Sequence, residues 1–278
     1  MKLQIIYNFY IANNECSDSV YKLHFYNLRK YTSIFDRAIF IITYDNQYTD
    51  DIVYRIKSAI IDNCNCNDLQ IIFEANDPLN REGAIYKKYI IDKLDQYDEY
   101  LTFFGHTKGV TNIYGYNNLE NLHKWINALY FLNFNYILEV KRKLLCYDYI
   151  SYGGLYFKDY RHNNNYNWFY SGSFYWINTS KLNKYIKDNN IDISNFICEE
   201  GERLKRCAEL FIGSILPSEY VAFHNDEIYN KETNHFNMYG WEISYENIDL
   251  LIKQYLDIWE YELFSENHIE IMNNILDK

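Results

Sequence analysis

Residues 100–109 read Tyr100-Leu101-Thr102-Phe103-Phe104-Gly105-His106-Thr107-Lys108-Gly109, an apolar run of strand length that stops on polar residues and glycine. The run is short, aromatic and bounded by turn residues, which predicts a strand over Tyr100–Phe104. Gly105 and Gly109 let the following backbone bend and approach a ligand closely, and Lys108 sets an ammonium where it would meet a phosphate oxygen. An ordinary glycine-containing turn with an exposed lysine fits the same residues.

Working outward, Leu3–Phe9, Ala38–Thr43 and Leu69–Phe73 are three more short apolar runs. Between them, Ser17–Arg29, Asp50–Ile61 and Arg81–Leu94 are predicted as helices; Val20, Leu23, His24 and Leu28 recur at helical spacing, as do Ile52, Ile56, Ala59 and Ile60. Strands alternating with helices, without hairpin signals, specify an α/β fold with a mostly parallel, Rossmann-like sheet flanked by helices. In such sheets ligands bind beyond the carboxyl ends of the strands. Four places meet that condition: Asn8, Asp45-Asn46, Asn76-Asp77, and His106 to Gly109. No GxGxxG follows the first strand and no GxxxxGK[ST] occurs, which disfavours a dinucleotide site and a P-loop.

The second half is less regular. Asn118–Lys143 is predicted as one long helix, Tyr149–Phe157 and Phe169–Ile177 as strands, and Thr179 as the cap of a helix running to Lys187. Gly201–Ile215 reads as a helix ended by Pro217, Val221–Phe223 as a final strand, and Leu250–Leu263 and His268–Leu276 as C-terminal helices. With no repeat or linker, residues 1–278 read as one domain: a nucleotide-binding-like half (1–115), a half completing the site (116–240), and C-terminal helices (241–278) that cap the domain or pair with a second copy.

Composition removes several classes. Aromatic residues make up 19% of the 278, and 48% are hydrophobic, which excludes global disorder. Apolar runs fall short of the ~18 residues of a transmembrane helix, so no transmembrane segment is expected. Met1–Asn8 lacks the features of a signal peptide and reads as a first strand. A net charge of −11 disfavours nucleic acid and anionic membrane surfaces as partners. Cys16, Cys64, Cys66, Cys146, Cys198 and Cys207 form no CxxC pair, so free buried thiols in a reducing, cytoplasmic setting are expected. Tyr, Asn, Ile and Lys all have AT-rich codons, so the 31 tyrosines are informative only by position.

His106-Thr107-Lys108-Gly109 after an apolar strand, preceded by Asn76-Asp77 and Arg81-Glu82, resembles a group of glycosyltransferases. These belong to bacterial surface-polysaccharide clusters, related to rhamnan-synthesis proteins, and to large DNA viruses. Ser171-Gly172-Ser173-Phe174-Tyr175-Trp176 is similar to the group's Ser-Gly-Asn-Phe-Trp-Trp segment, and Glu209-Leu210-Phe211-Ile212 to a later Glu-x-Trp/Phe segment. The resemblance spans roughly residues 1–225. It departs from the pattern at Ser173, where the family has Asn, and at Tyr175, where it has Trp.

The resemblance implies a GT-A-like fold, a nucleoside-diphosphate sugar donor (UDP-, GDP- or dTDP-sugar) and a glycan or other hydroxyl acceptor, in the host cytoplasm if the chain is viral. It puts Lys108 and His106 at the leaving diphosphate and Asn76, Asp77, Arg81, Ser171, Gly172 and Ser173 around the donor, where Asn8 and Gly109 join them by their places after the first and fourth strands. Tyr175 and Trp176 become acceptor contacts, Trp176 equally a core residue. No clear Asp-x-Asp metal motif is found, so the cofactor stays open between none and Mn²⁺ or Mg²⁺, with His224 and Asp226 as candidate ligands. Glu209, among apolar neighbours that would raise its pKa, is the candidate base; pairing with Lys205 or Arg206 is the structural alternative. Two other readings compete: an inactive nucleotide- or carbohydrate-binding module, and an α/β-hydrolase-type enzyme, for which no GxSxG elbow is found.

Overall fold

The computed structural model describes residues 1–12, 17–45, 50–77, 82–107, 110, 119–154, 156–158, 168–193 and 207–223. The first half alternates as the apolar periodicity dictates: β1 (Lys2–Tyr10), α1 (Ser17–Tyr31), β2 (Arg37–Tyr44), α2 (Asp50–Asn63), β3 (Asp68–Ala75), α3 (Glu82–Tyr89), β4 (Tyr100–His106). The second half contributes α4 (Leu119–Phe134), α5 (Ile137–Cys146), β5 (Ser151–Gly153), β6 (Tyr156–Lys158), β7 (Trp168–Tyr170), β8 (Tyr175–Asn178), α6 (Thr179–Asp188), α7 (Cys207–Ile215) and β9 (Val221–Phe223).

Seven strands form one sheet in the order β3-β2-β1-β4-β8-β5-β9, and only β8 runs against the others. β6 and β7 pair separately as a small antiparallel ribbon. The order reverses between β1 and β4: β2 and β3 extend to one side, β4 to the other.

β1 is buried on both faces, which explains why it is mostly apolar along its length, with Gln4 and Asn8 as buried polar exceptions. Leu3, Ile5, Tyr7 and Phe9 join α1, α2, α4 and α5 in one core, whereas Ile6 joins α3, α6 and α7 in another. The molecule is thus a sheet sandwiched between two helical layers.

Several boundaries differ from the sequence reading. Arg81–Leu94 is not one helix: α3 ends at Tyr89 and a 3₁₀ stretch, Ile91–Gln96, follows. Asn118–Lys143 is two helices, because Asn135-Tyr136 turn the chain so that α5 packs on β5 and β8. Tyr149–Phe157 divides at Gly154, where a Cβ would lie 2.3 Å from Leu132 Cβ; only glycine lets α4 approach there. Phe169–Ile177 is likewise two strands, separated by a tight turn at Ser171–Ser173. The cap of α6 is Asn178, whose Oδ1 accepts from Lys181 N (3.1 Å), and not Thr179. Cys64 and Cys66 are free and buried, as expected, but Cys146 is free and exposed. Among the described residues no helix is long and apolar enough to cross a membrane.

Candidate functional site

The carboxyl ends of β1, β2, β3 and β4 lie side by side, and hydrogen bonds carry each pairing one residue past the strands. Ile11 N donates to Thr43 O (2.7 Å), Asn76 N to Tyr44 O (2.8 Å) and Thr107 N to Asn8 O (2.9 Å). Polar side chains tie this edge together. Thr43 Oγ1 donates to Asn8 Oδ1 (2.9 Å), and Tyr10 N donates to Thr107 Oγ1 (3.0 Å). The half-buried Asp45 carboxylate accepts from Tyr10 Oη (2.9 Å) through one oxygen and from Asn76 Nδ2 (2.7 Å) through the other. Asp77 follows, half-buried.

Asn8, Asp45, Asn76, Asp77 and His106, all expected after strands, therefore share one edge of the sheet; His106 is the last residue of β4 and not the first of the loop. Asn8 pairs directly with His106 across β1 and β4. Tyr10 and Thr43 were not singled out from the sequence. The signal for Tyr10 was period two: it lies two residues beyond Asn8 and so shares its side of the strand.

Beneath the β4 end is a buried polar knot. Tyr7 Oη donates to His106 O (2.8 Å) and accepts from Tyr130 Oη (2.7 Å). His24 Nδ1 lies 2.8 Å from the Tyr7 hydroxyl and 3.0 Å from that of Tyr130. One proton assignment satisfies all four contacts, with Nδ1–H donating to both phenols. Burial holds both phenols above their ordinary pKa, so they stay neutral. Gly105 makes the arrangement possible: a Cβ there would stand 2.9 Å from Tyr7 Cε2. This glycine therefore serves the tyrosine beneath it as well as the turn after it.

The second half reaches the same place through the Ser171–Ser173 turn, which packs against β4. β8 pairs antiparallel with β4, and the pairing ends with Tyr175 opposite Phe104. Gly172 has φ 73°, and a Cβ on it would come within 2.9 Å of Leu129 Cδ1. Ser173 also has positive φ (54°), uncommon for serine, and its buried hydroxyl has no hydrogen-bond partner. Phe174 turns inward, against Tyr7, Phe103, His106 and Tyr130.

Tyr175 and Trp176 are corrected as acceptor contacts, since both are fully enclosed. The Tyr175 hydroxyl donates to Ala208 O (3.0 Å) and meets the Tyr86 hydroxyl at 2.5 Å. Trp176 stacks on Phe35 and donates to Asn133 O (2.9 Å). Neither ring has a face left for a sugar.

Lys108, Gly109, Arg81, His224 and Asp226 lie outside the described residues, as do Lys205 and Arg206. Lys108 and Gly109 stand between Thr107 and Val110, whose N donates back to Thr107 O (3.4 Å). Ser171 and Glu209 are described as backbone only, Ser171 in the turn and Glu209 in α7. Among the described residues no three His, Cys, Asp or Glu side chains converge as a metal site.

The arrangement offers a row of hydrogen-bonding groups along the strand-end edge of the sheet, with a serine at positive φ in the turn that packs against β4. No protein-family model matches the chain, and no curated protein matches it.

Proposed function

We propose that the chain is a glycosyltransferase with a GT-A-like fold, transferring a sugar from a nucleoside-diphosphate donor to a hydroxyl of a glycan acceptor. The observation that carries this reading is the row of polar residues, Asn8, Asp45, Asn76 and His106, at the carboxyl ends of four adjacent parallel strands. The row lies at the point where strand order reverses, which is where α/β sheets bind ligands. Ser173, in the turn that packs against β4, adds to it: a buried hydroxyl without a partner and a serine at positive φ both cost free energy, and such costs cluster at functional sites.

In this reading the donor lies along the edge lined by Asn8, Asp45, Asn76 and His106, with its diphosphate toward the 107–110 turn. The Lys108 ammonium and backbone N–H groups of that turn neutralise the leaving diphosphate. Arg81 and Asp77 belong to the nucleotide end. A base, assigned to Glu209 on α7, takes the acceptor hydroxyl proton as the oxygen attacks the anomeric carbon; the bond from that carbon to the diphosphate oxygen breaks, and the nucleoside diphosphate departs.

The test is thermal unfolding of the full chain with millimolar UDP, GDP or dTDP, with and without Mn²⁺. A ligand that binds only the native state must raise Tm. A shift with at least one nucleotide, reduced in Lys108→Ala, is the expected outcome; no shift with any of the three overturns the reading.

A further inference from the structure

α5 has two unlike sides. Val140 and Leu144 are buried in the core, whereas Leu138 is 79% exposed, Leu145 43% exposed, and Tyr147 just beyond the helix 48% exposed. Leu138 and Leu145 stand two turns apart on one side, with Lys141 and Arg142 between them. Arg142 donates to Tyr147 Oη (3.2 Å) and lies over its ring. The outcome is an apolar strip with a cationic rim.

The chain leaves the sheet against this same helix. Lys143 Nζ donates to the carbonyl of Phe223, the last residue of β9 (2.9 Å). Residues 224–278 follow, with twelve carboxylates against three lysines. That stretch therefore holds nine of the eleven net negative charges of the whole protein. Within it, Ile252, Leu256, Trp259 and Leu263 recur at helical spacing, flanked by Asp249 and Glu260. Residues 224–249, even half extended, reach roughly 40 Å, well beyond the ~15 Å length of α5.

We infer that the outer side of α5 is the docking surface for the acidic segment Leu250–Leu263 of the same chain. Leu138, Leu145 and Tyr147 take its apolar side, and Lys141 and Arg142 meet its carboxylates. The tether makes the contact intramolecular, which keeps the local concentration of the segment high. This inference is independent of the glycosyltransferase reading.

Trypsin tests it on the full chain, because Lys253 lies inside the segment. Fragments are identified by mass, and the rate of cleavage at Lys253 is compared among variants. The double variant Leu138→Asp with Leu145→Asp, changed only at exposed positions, should be cut there about tenfold faster or more, since cleavage follows the undocked population. Lys141→Glu with Arg142→Glu should also speed cleavage, with an effect that shrinks in high salt. Equal Lys253 rates in the wild type and both variants would overturn the inference. So would protection that disappears on dilution, which would make the occupant a second copy.

Discussion

Asn8 and His106 are partners in the β1–β4 pairing, and they sit where the strand order of the sheet reverses. Thr43 holds the Asn8 side chain from the neighbouring strand, and Tyr7 holds the His106 carbonyl from below. Both residues are fixed by the scaffold before any ligand arrives, which is what a preorganised site needs.

Ser173→Ala separates stability from function. Removing a buried hydroxyl that has no partner should leave the protein unchanged or up to about 1 kcal/mol more stable in urea unfolding. Nucleotide-sugar binding should weaken in the same variant. Loss of stability with unaltered binding would make Ser173 a structural residue only.

Tyr7→Phe removes the phenol that joins His106 O, Tyr130 and His24. A buried network missing one member should lose about 1–3 kcal/mol, read from the urea midpoint at unchanged m. A change below about 0.5 kcal/mol would show that the knot does not hold the β4 end.

Asp45→Ala leaves Tyr10 and Asn76 without their shared acceptor. Because Asp45 is half-buried, the stability cost should be small, about 1 kcal/mol or less. Nucleotide affinity should fall about tenfold, or ~1.4 kcal/mol, in calorimetric titration. Unchanged affinity would remove the Tyr10–Asp45–Asn76 cluster from the site.

His123 gives a pH test. It sits on α4 with Nε2 3.0 Å from Ser19 Oγ, and burial lowers its pKa below the usual histidine value. The unfolded chain therefore takes up a proton near pH 6.5 that the folded chain still refuses. Its contribution is present above that pH and is lost as pH falls toward the depressed folded value. His123→Gln should flatten the wild-type decline in stability as pH falls below about 6.5; an equally steep decline would place the cause elsewhere.

The four parallel strands were legible because each is a short, mostly apolar run between helical patterns, and the polar residues after them followed from the rule on carboxyl ends. Asp45 and Asn76 emerged that way. What the sequence hid was where regular runs break. Gly154 and the Gly172–Ser173 pair interrupt apolar stretches for reasons set by distant residues, Leu132 and Leu129. Tyr175 and Trp176 misled for a related reason: an aromatic pair beside a site motif has the same composition whether it faces ligand or core. Only the antiparallel placement of β8 beside β4 and β5 decides that both are enclosed.

The most direct measurement is release of free nucleoside diphosphate by the full chain from a panel of UDP-, GDP- and dTDP-sugars, with and without Mn²⁺. Release from at least one donor, lost in Lys108→Ala and in Glu209→Gln while the latter still binds donor, is the predicted result. A folded protein that releases none from any donor would contradict glycosyl transfer, and if it still bound nucleotide it would be a binding module.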